Sequence, residues 1–213
     1  MSAPPPDARS LRRVVLFARA PHQGRVKTRL AATIGDERAL AIYMDLATLV
    51  TEAMAGGPWQ LRVRCAPDEA VHEVAQWLTM PDRVEPQGPG DLGERMCRAM
   101  DEAFAQGIQR SLIIGTDCPD VGAALVESAF AALERADVVF GPAHDGGYYL
   151  VGARRSVPAI FRDVPWSATD TLAVSLQRAV EAGYSVELLE ARADIDTEAD
   201  WLAWRERASR PSR

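Results

Sequence analysis

Two hydrophobic rhythms alternate along the chain. Residues 13–18 (R-V-V-L-F-A), 111–114 (S-L-I-I) and 137–141 (D-V-V-F-G) are short, continuous apolar runs, the mark of buried strands. Between the first two, Leu40, Tyr43, Met44, Ala47 and Val50 recur at helical spacing. Residues 36–55 are therefore predicted to form an amphipathic helix, with Asp36 as a candidate cap and Gly56-Gly57-Pro58 as its stop. The same patterns predict helices over 28–34, 67–78, 91–106, 123–135, 157–162 and 168–181, and a Trp-rich terminal helix capped by Thr197. Further strands are predicted over 59–65, 83–86, 148–152 and 184–190. Strands alternating with helices imply an α/β fold: three layers, α/β/α, around a mainly parallel mixed sheet.

Composition narrows this picture in three ways. At 213 residues, 47% hydrophobic and 25% charged, the chain is expected to be one domain over 12–208, between a flexible Pro-rich tail (1–11) and a short C-terminal tail (209–213). No apolar run approaches the roughly 20 residues of a membrane span, and the N-terminus lacks a signal-peptide core, so no membrane partner and a cytoplasmic location are expected. Cys65, Cys97 and Cys118 are too scattered for a disulfide framework or a zinc site. A net charge of −6 argues against a nucleic-acid surface. Of the 24 basic residues, Lys27 is the only lysine, which is either chance or a need for a compact ammonium of the kind that contacts phosphate.

The polar residues without a packing reason cluster at predicted strand ends. After the first strand, R-A-P-H-Q-G-R-V-K-T-R-L (19–30) has Pro21 and Gly24 to shape a loop and Lys27 and Arg29 to meet an anion. It is not a Walker A motif, since Val26 precedes the lysine. After the 111–114 strand come Asp117 and Asp120, where open α/β sheets bind ligands. Asp120 is read as the cap of the following helix and Asp117 as a ligand. Asp145 precedes Gly146-Gly147, in a turn that could serve structure or ligand equally, and Asp194 and Asp196 follow the last strand. Acids gathered on one rim without a cation would repel one another, so a divalent metal is their simplest partner. The G-P-G-D-L-G of 88–93 is read as a turn feeding a helix; alternatively, that helix start, with Arg95, closes one side of a nucleotide pocket.

Taken together, F-A-R-A-P-x-x-G-x-V-K-T-R-L (17–30), G-D-L-G-E-R-M (90–96), G-T-D-C-P-D (115–120), G-P-A-H-D-G-G-Y-Y-L (141–150), P-W-S (165–167) and D-I-D-T-E-A-D (194–200) resemble a known group. It is the bacterial family of glycosyltransferase-A-type, nucleotide-diphospho-sugar-transferase-like proteins, often labelled arsenosugar-biosynthesis glycosyltransferases. The resemblance implies the glycosyltransferase-A fold. K-T-R-L is similar to the phosphate loop of 2-phospholactate guanylyltransferases. D-T-E-x-D is similar to sugar-acid cytidylyltransferases, in which its first Asp joins a mid-chain Asp on magnesium. Carried over, Asp117 and Asp196 become the ligands of Mg2+ or Mn2+, and Lys27 the phosphate contact. Pro119 stands where a strict D-x-D would need its second acid.

The expected catalytic set is Lys27, Asp117 and Asp145, and the expected nucleotide contacts are Arg19, Gly24, Lys27, Arg29, Gly93, Arg95, Gly146 and Gly147. The expected activity is metal-dependent glycosyl transfer from a nucleotide-diphospho-sugar to a small-molecule acceptor. The alternatives are nucleotidyl transfer with pyrophosphate release, and non-catalytic binding of a nucleotide sugar.

Overall fold

The apolar runs become the centre of a seven-stranded sheet in the computed structural model, which describes residues 11–80, 83–166 and 168–209. The expected tails lie almost wholly outside these residues, as does Ser167 of the P-W-S motif. Strands β1 (Arg12–Arg19), β2 (Gln60–Ala66), β3 (Val84–Pro86) and β4 (Arg110–Gly115) pair in parallel. Then β6 (Tyr148–Ala153) runs antiparallel between β4 and β5 (Val138–Pro142), and β7 (Val186–Leu188) pairs in parallel with β5. The spatial order is β3-β2-β1-β4-β6-β5-β7, the mainly parallel mixed sheet that the alternating pattern implies.

Continuous apolar strands have two faces to bury, and helices cover both. On one face Val14, Leu16, Leu112 and Ile114 pack with Trp59 and Phe130. On the other, Val15, Ile113, Phe140 and Val151 pack with Met96, Met100 and Phe161. The helices are α1 (Thr28–Ile34), α2 (Asp36–Met54), α3 (Val71–Trp77), α4 (Leu92–Ala105), α5 (Ala123–Ala132), α6 (Thr171–Glu181) and α7 (Glu198–Ala208). No helix among the described residues is long and apolar enough to cross a membrane.

Three local readings change. The 67–78 segment opens with a 3-10 turn (Asp68–Ala70) before α3. Gly35, not Asp36, holds the cap position of α2, and Asp36 lies in its first turn. Asp120 does not cap α5, because the turn past Pro119 delays the helix and puts Gly122 at the cap. Its carboxylate instead accepts from the Trp204 indole N–H at 3.0 Å and from Arg207 at 3.2 Å, tying α7 to the loop after β4.

Two features position the rest. Asp137, just before β5, accepts hydrogen bonds from Arg154, Arg155 and both the backbone N–H and hydroxyl of Ser185, so it pins the start of β5 to the end of β6 and the entry of β7. Those bonds, that of Arg155 first, outweigh burial and hold its carboxyl well below the usual carboxylate range. The chain after β7 then runs across the carboxyl-end rim of the sheet. Leu189 N–H donates to the Phe140 carbonyl, Arg192 N–H to Pro142 and Ile195 N–H to Asp117. The Ile195 side chain plugs between Leu30 of α1 and Leu46 of α2, in a cluster that Trp201 and Trp204 of α7 flank.

Candidate phosphate and metal cleft

A cleft of about 1090 Å³ opens at the carboxyl ends of β1 and β4. Arg19, Lys27, Arg29, Arg95, Asp117 and Asp196 line it, so six of the residues singled out in the sequence come together. Gly24, Gly93, Asp145, Gly146 and Gly147 do not line it.

Lys27 lies at the centre. It is the N-cap of α1, in the left-handed region at φ 48°, and its side chain is 4% exposed. Its Nζ lies 2.5 Å from Asp117 Oδ1 and 3.4 Å from Asp196 Oδ1, and donates to the main-chain oxygen of Ile195. A compact ammonium gathers three oxygens from two chain segments onto one atom, whereas a planar guanidinium spreads its donors over three nitrogens. Arg29 reaches the other oxygen of Asp196 at 3.3 Å. The exposed guanidinium groups of Arg19 and Arg25 have no ion-pair partner among the described residues, and both line the cleft.

The walls are fixed by hydrogen bonds that sequence reasoning missed. Tyr43, read only as part of the apolar stripe of α2, donates its hydroxyl to the Arg19 carbonyl and accepts from the Arg19 N–H, both at 2.8 Å. Burial pushes its phenol up to about 12, so it stays neutral and able to donate. Gln87 donates to the Ala18 and Arg64 carbonyls and accepts from Arg95, whose Nε also donates to the Gly90 carbonyl at 2.8 Å. The signal for Tyr43 was a hydroxyl on an otherwise apolar helix stripe; Arg25 and Thr116, which also line the cleft, sat inside motifs already quoted.

The remaining glycines set the far wall rather than the cleft surface. Gly93 is buried in the first turn of α4, where a Cβ would sit 2.5 Å from both the Phe161 carbonyl and the Trp166 ring. Trp166 lines the cleft and meets Tyr148 edge-on at 6.5 Å, so it is both core and wall. Gly93→Ala is expected to cost about 1–3 kcal/mol by overpacking, read as a lower denaturant midpoint. Gly146, at φ 93°, touches the Thr169 backbone, and Gly147 N–H donates to Asp145 Oδ1 at 2.9 Å.

Asp194, which follows the last strand, turns one carboxylate oxygen into the protein. Burial first, then the charges of Asp117 and Asp145, push its carboxyl up to about 7, against the pull of Lys27. Its Oδ1 is buried without a hydrogen-bond partner. A raised carboxyl pKa means that the folded state holds the proton longer than the unfolded chain does. Its contribution is therefore neutral at low pH and becomes a penalty as pH rises from about 4 to 7. Asp194→Asn is expected to leave stability unchanged near pH 4 and to raise it by about 2 kcal/mol at pH 8. Melting in chelator across that range checks the sign.

The donors here are oxygens: two carboxylates, a main-chain carbonyl and the unpaired Asp194 oxygen, the set a hard cation takes. Among the described residues, no group of three or more His, Cys, Asp or Glu side chains is arranged around a common metal position. Burial, with Asp194 and Asp120 nearby, pushes the Cys118 thiol up to about 12, which leaves it no thiolate ligand at neutral pH.

Comparison with known proteins agrees with this architecture. No curated protein matches the chain. A crystal structure from Desulfovibrio desulfuricans G20, provisionally assigned as a nucleotide-diphospho-sugar transferase, is 30% identical, covers 94% of this chain and 89% of its own, and has a TM-score of 0.89. A nucleotidyl transferase from Methanothermobacter thermautotroptrophicus shares the fold at 18% identity, with coverage of 91% and 96% and a TM-score of 0.56. So does Rv0371c in complex with manganese, from Mycobacterium tuberculosis H37Rv, at 14% identity, coverage of 92% and 98%, and a TM-score of 0.52. The fold is therefore that of the nucleotide-diphospho-sugar transferases. The family model described as "Uncharacterized protein conserved in bacteria (DUF2064)" matches residues 47–168, more than half of the chain, and the chain belongs to that family.

Proposed function

We propose that the protein is a metal-dependent transferase that holds a nucleotide by its phosphates and passes a glycosyl group from a nucleotide-diphospho-sugar to a small-molecule acceptor. The observation that supports this most is the placement of charge. In a chain of net charge −6, Arg19, Arg25, Lys27, Arg29 and Arg95 line one cleft around Asp117 and Asp196. Focused positive charge beside two carboxylates suits a diphosphate with its cation.

In this reading Asp117 and Asp196 hold Mg2+ or Mn2+, which supplies charge neutralisation for the nucleoside-diphosphate leaving group. The manganese complex of Rv0371c, on the same fold, is in keeping with that. Lys27 and Arg29 bind and orient the phosphate oxygens, while Tyr43 keeps the Arg19 backbone in place. Trp166 and Leu92 shield the donor from water on the α4 side. Asp145 lies outside the cleft lining with its Oδ1 engaged by Gly147, and in this reading its other oxygen would take the proton of an acceptor hydroxyl held beside the cleft as the new glycosidic bond forms. Gly24, Gly93, Gly146 and Gly147 act by shaping these loops.

A second reading, nucleotidyl transfer, is favoured by one feature. Arg19, Arg25, Lys27 and Arg29 lie close together in sequence, from the end of β1 to the first turn of α1, and four cations match the charge of a triphosphate better than that of a diphosphate. The acceptor oxygen would then attack the α-phosphorus and pyrophosphate would leave. Assays with nucleoside triphosphates and with nucleotide sugars, each with Mg2+, separate the two by product. Nucleoside diphosphate from a nucleotide sugar supports the first, and pyrophosphate from a triphosphate the second. If no nucleotide gives a metal-dependent thermal shift, both are wrong.

A further inference from the structure

The seat of the Lys27 ammonium has a composition unusual for an ion pair. It is built from Asp117 Oδ1, Asp196 Oδ1 and the Ile195 carbonyl oxygen, which come from two chain segments joined by the Ile195 N–H to Asp117 carbonyl hydrogen bond of 3.0 Å. The next turn is fixed as well, since the Asp196 and Thr197 N–H groups donate to Asp200. The main chain that carries the three oxygens is therefore held by hydrogen bonds of its own, and the three oxygens converge on the Lys27 ammonium. Both carboxylates keep an outer side open to the cleft, at 48% and 36% exposure, while the lysine side chain is almost wholly enclosed. Three convergent oxygens, two of them anionic, are what a hard divalent cation takes.

We infer that this seat is the divalent-cation site, that the Ile195 main-chain oxygen is its third protein ligand, and that Lys27 competes with the cation for it. This rests on the metal–phosphate reading given above. In the ligand-free protein the ammonium neutralises Asp117 and Asp196, which otherwise stand beside Asp194 in a cluster of like charge. The cation and the ammonium cannot share the same three oxygens. As phosphates arrive beside Arg25 and Arg29, they offer the ammonium other oxygens on the cleft side, and the seat becomes free for the metal. Metal and nucleotide then bind with positive cooperativity, each raising the affinity for the other. A guanidinium is too broad for this exchange at a single point, which gives a physical reason for the chain's only lysine to be here.

The test reads metal binding by the full chain without nucleotide. Mn2+ affinity, followed by electron paramagnetic resonance, is compared for wild type and Lys27→Gln. Because the ammonium fills the seat in wild type, freeing it is expected to tighten Mn2+ binding by about tenfold or more. Asp117→Asn added to Lys27→Gln is expected to abolish that gain. Unchanged or weaker Mn2+ binding by folded Lys27→Gln overturns the inference. A second measurement needs no variant: as the chain has one lysine, the lysine Nζ resonance of wild type reports on this seat alone. That resonance is expected to shift as Mg2+ saturates the protein, and a signal indifferent to saturating Mg2+ overturns the inference. The two ideas fail separately. Magnesium-dependent nucleotide turnover with no gain in Lys27→Gln leaves the functional reading standing and removes the competition. Tighter Mn2+ binding by Lys27→Gln with no nucleotide bound by wild type does the reverse.

Discussion

Asp117→Ala is expected to lower turnover by about 10³-fold while leaving the sheet intact, the largest functional effect of any single change in the cleft. The fold survives because the loop's own tie is main-chain: Ile195 N–H donates to the Asp117 carbonyl, which alanine keeps. The side chain is half exposed, so its removal opens no core cavity. What is lost is a carboxylate oxygen 2.5 Å from the Lys27 ammonium, and one of the two carboxylates proposed to hold a divalent cation. Losing a Lewis acid from a leaving diphosphate removes several kcal/mol of transition-state stabilisation, and about 4 kcal/mol corresponds to that loss of rate. The check is product release under saturating Mg2+, with circular dichroism to show that the variant is folded. A rate within about tenfold of wild type would remove Asp117 from the chemistry.

Asp137→Ala is expected to have the largest effect on stability, about 3 kcal/mol, with no direct effect on the cleft. Its carboxylate is only 11% exposed and holds Arg154, Arg155 and Ser185 together across the starts and ends of β5, β6 and β7. The two arginines are 41% and 53% exposed and keep their hydration, which puts the cost at the low end of the range for a buried pair. Urea midpoints at neutral pH measure it. The pH dependence has the opposite sign to that of Asp194. Because the folded carboxyl lies below its unfolded value, its stabilisation is complete above about pH 4 and is lost as pH falls further. Asp137→Asn is therefore expected to flatten the acid limb of the stability profile, whereas Asp194→Asn lifts the alkaline side.

These two acids also show where the sequence was readable. The runs around Val14 and Leu112 announced their strands because burial on both faces leaves a continuous apolar run. Lys27 and Asp117 were visible because strand ends in such a sheet carry ligands, and because one lysine among arginines is conspicuous. Asp120 was misread since its partners, Trp204 and Arg207, lie 84 and 87 positions away, and no local pattern encodes such a pairing. The sequence favoured Asp196 as a ligand and gave Asp194 no role of its own. Only the path of the chain across the rim buries an oxygen of Asp194 and leaves Asp196 open to the cleft. Gly93 was taken for a nucleotide contact, yet its lack of a side chain answers to Trp166 and the Phe161 carbonyl, a demand written in tertiary packing.

The placement of Ile195 has a consequence for how the protein comes into being. Its side chain is clasped by α1 and α2, its N–H by the loop after β4 and its carbonyl by Lys27, a residue 168 positions earlier. During synthesis the strands of the parallel half can pair long before the ribosome reaches this residue, so the cleft would exist for a time as a groove missing one side. Competence to bind would then arrive in a single late event, when one isoleucine docks. A chain stopped just short of it should retain much of its sheet and lack two of the three oxygens around the Lys27 ammonium.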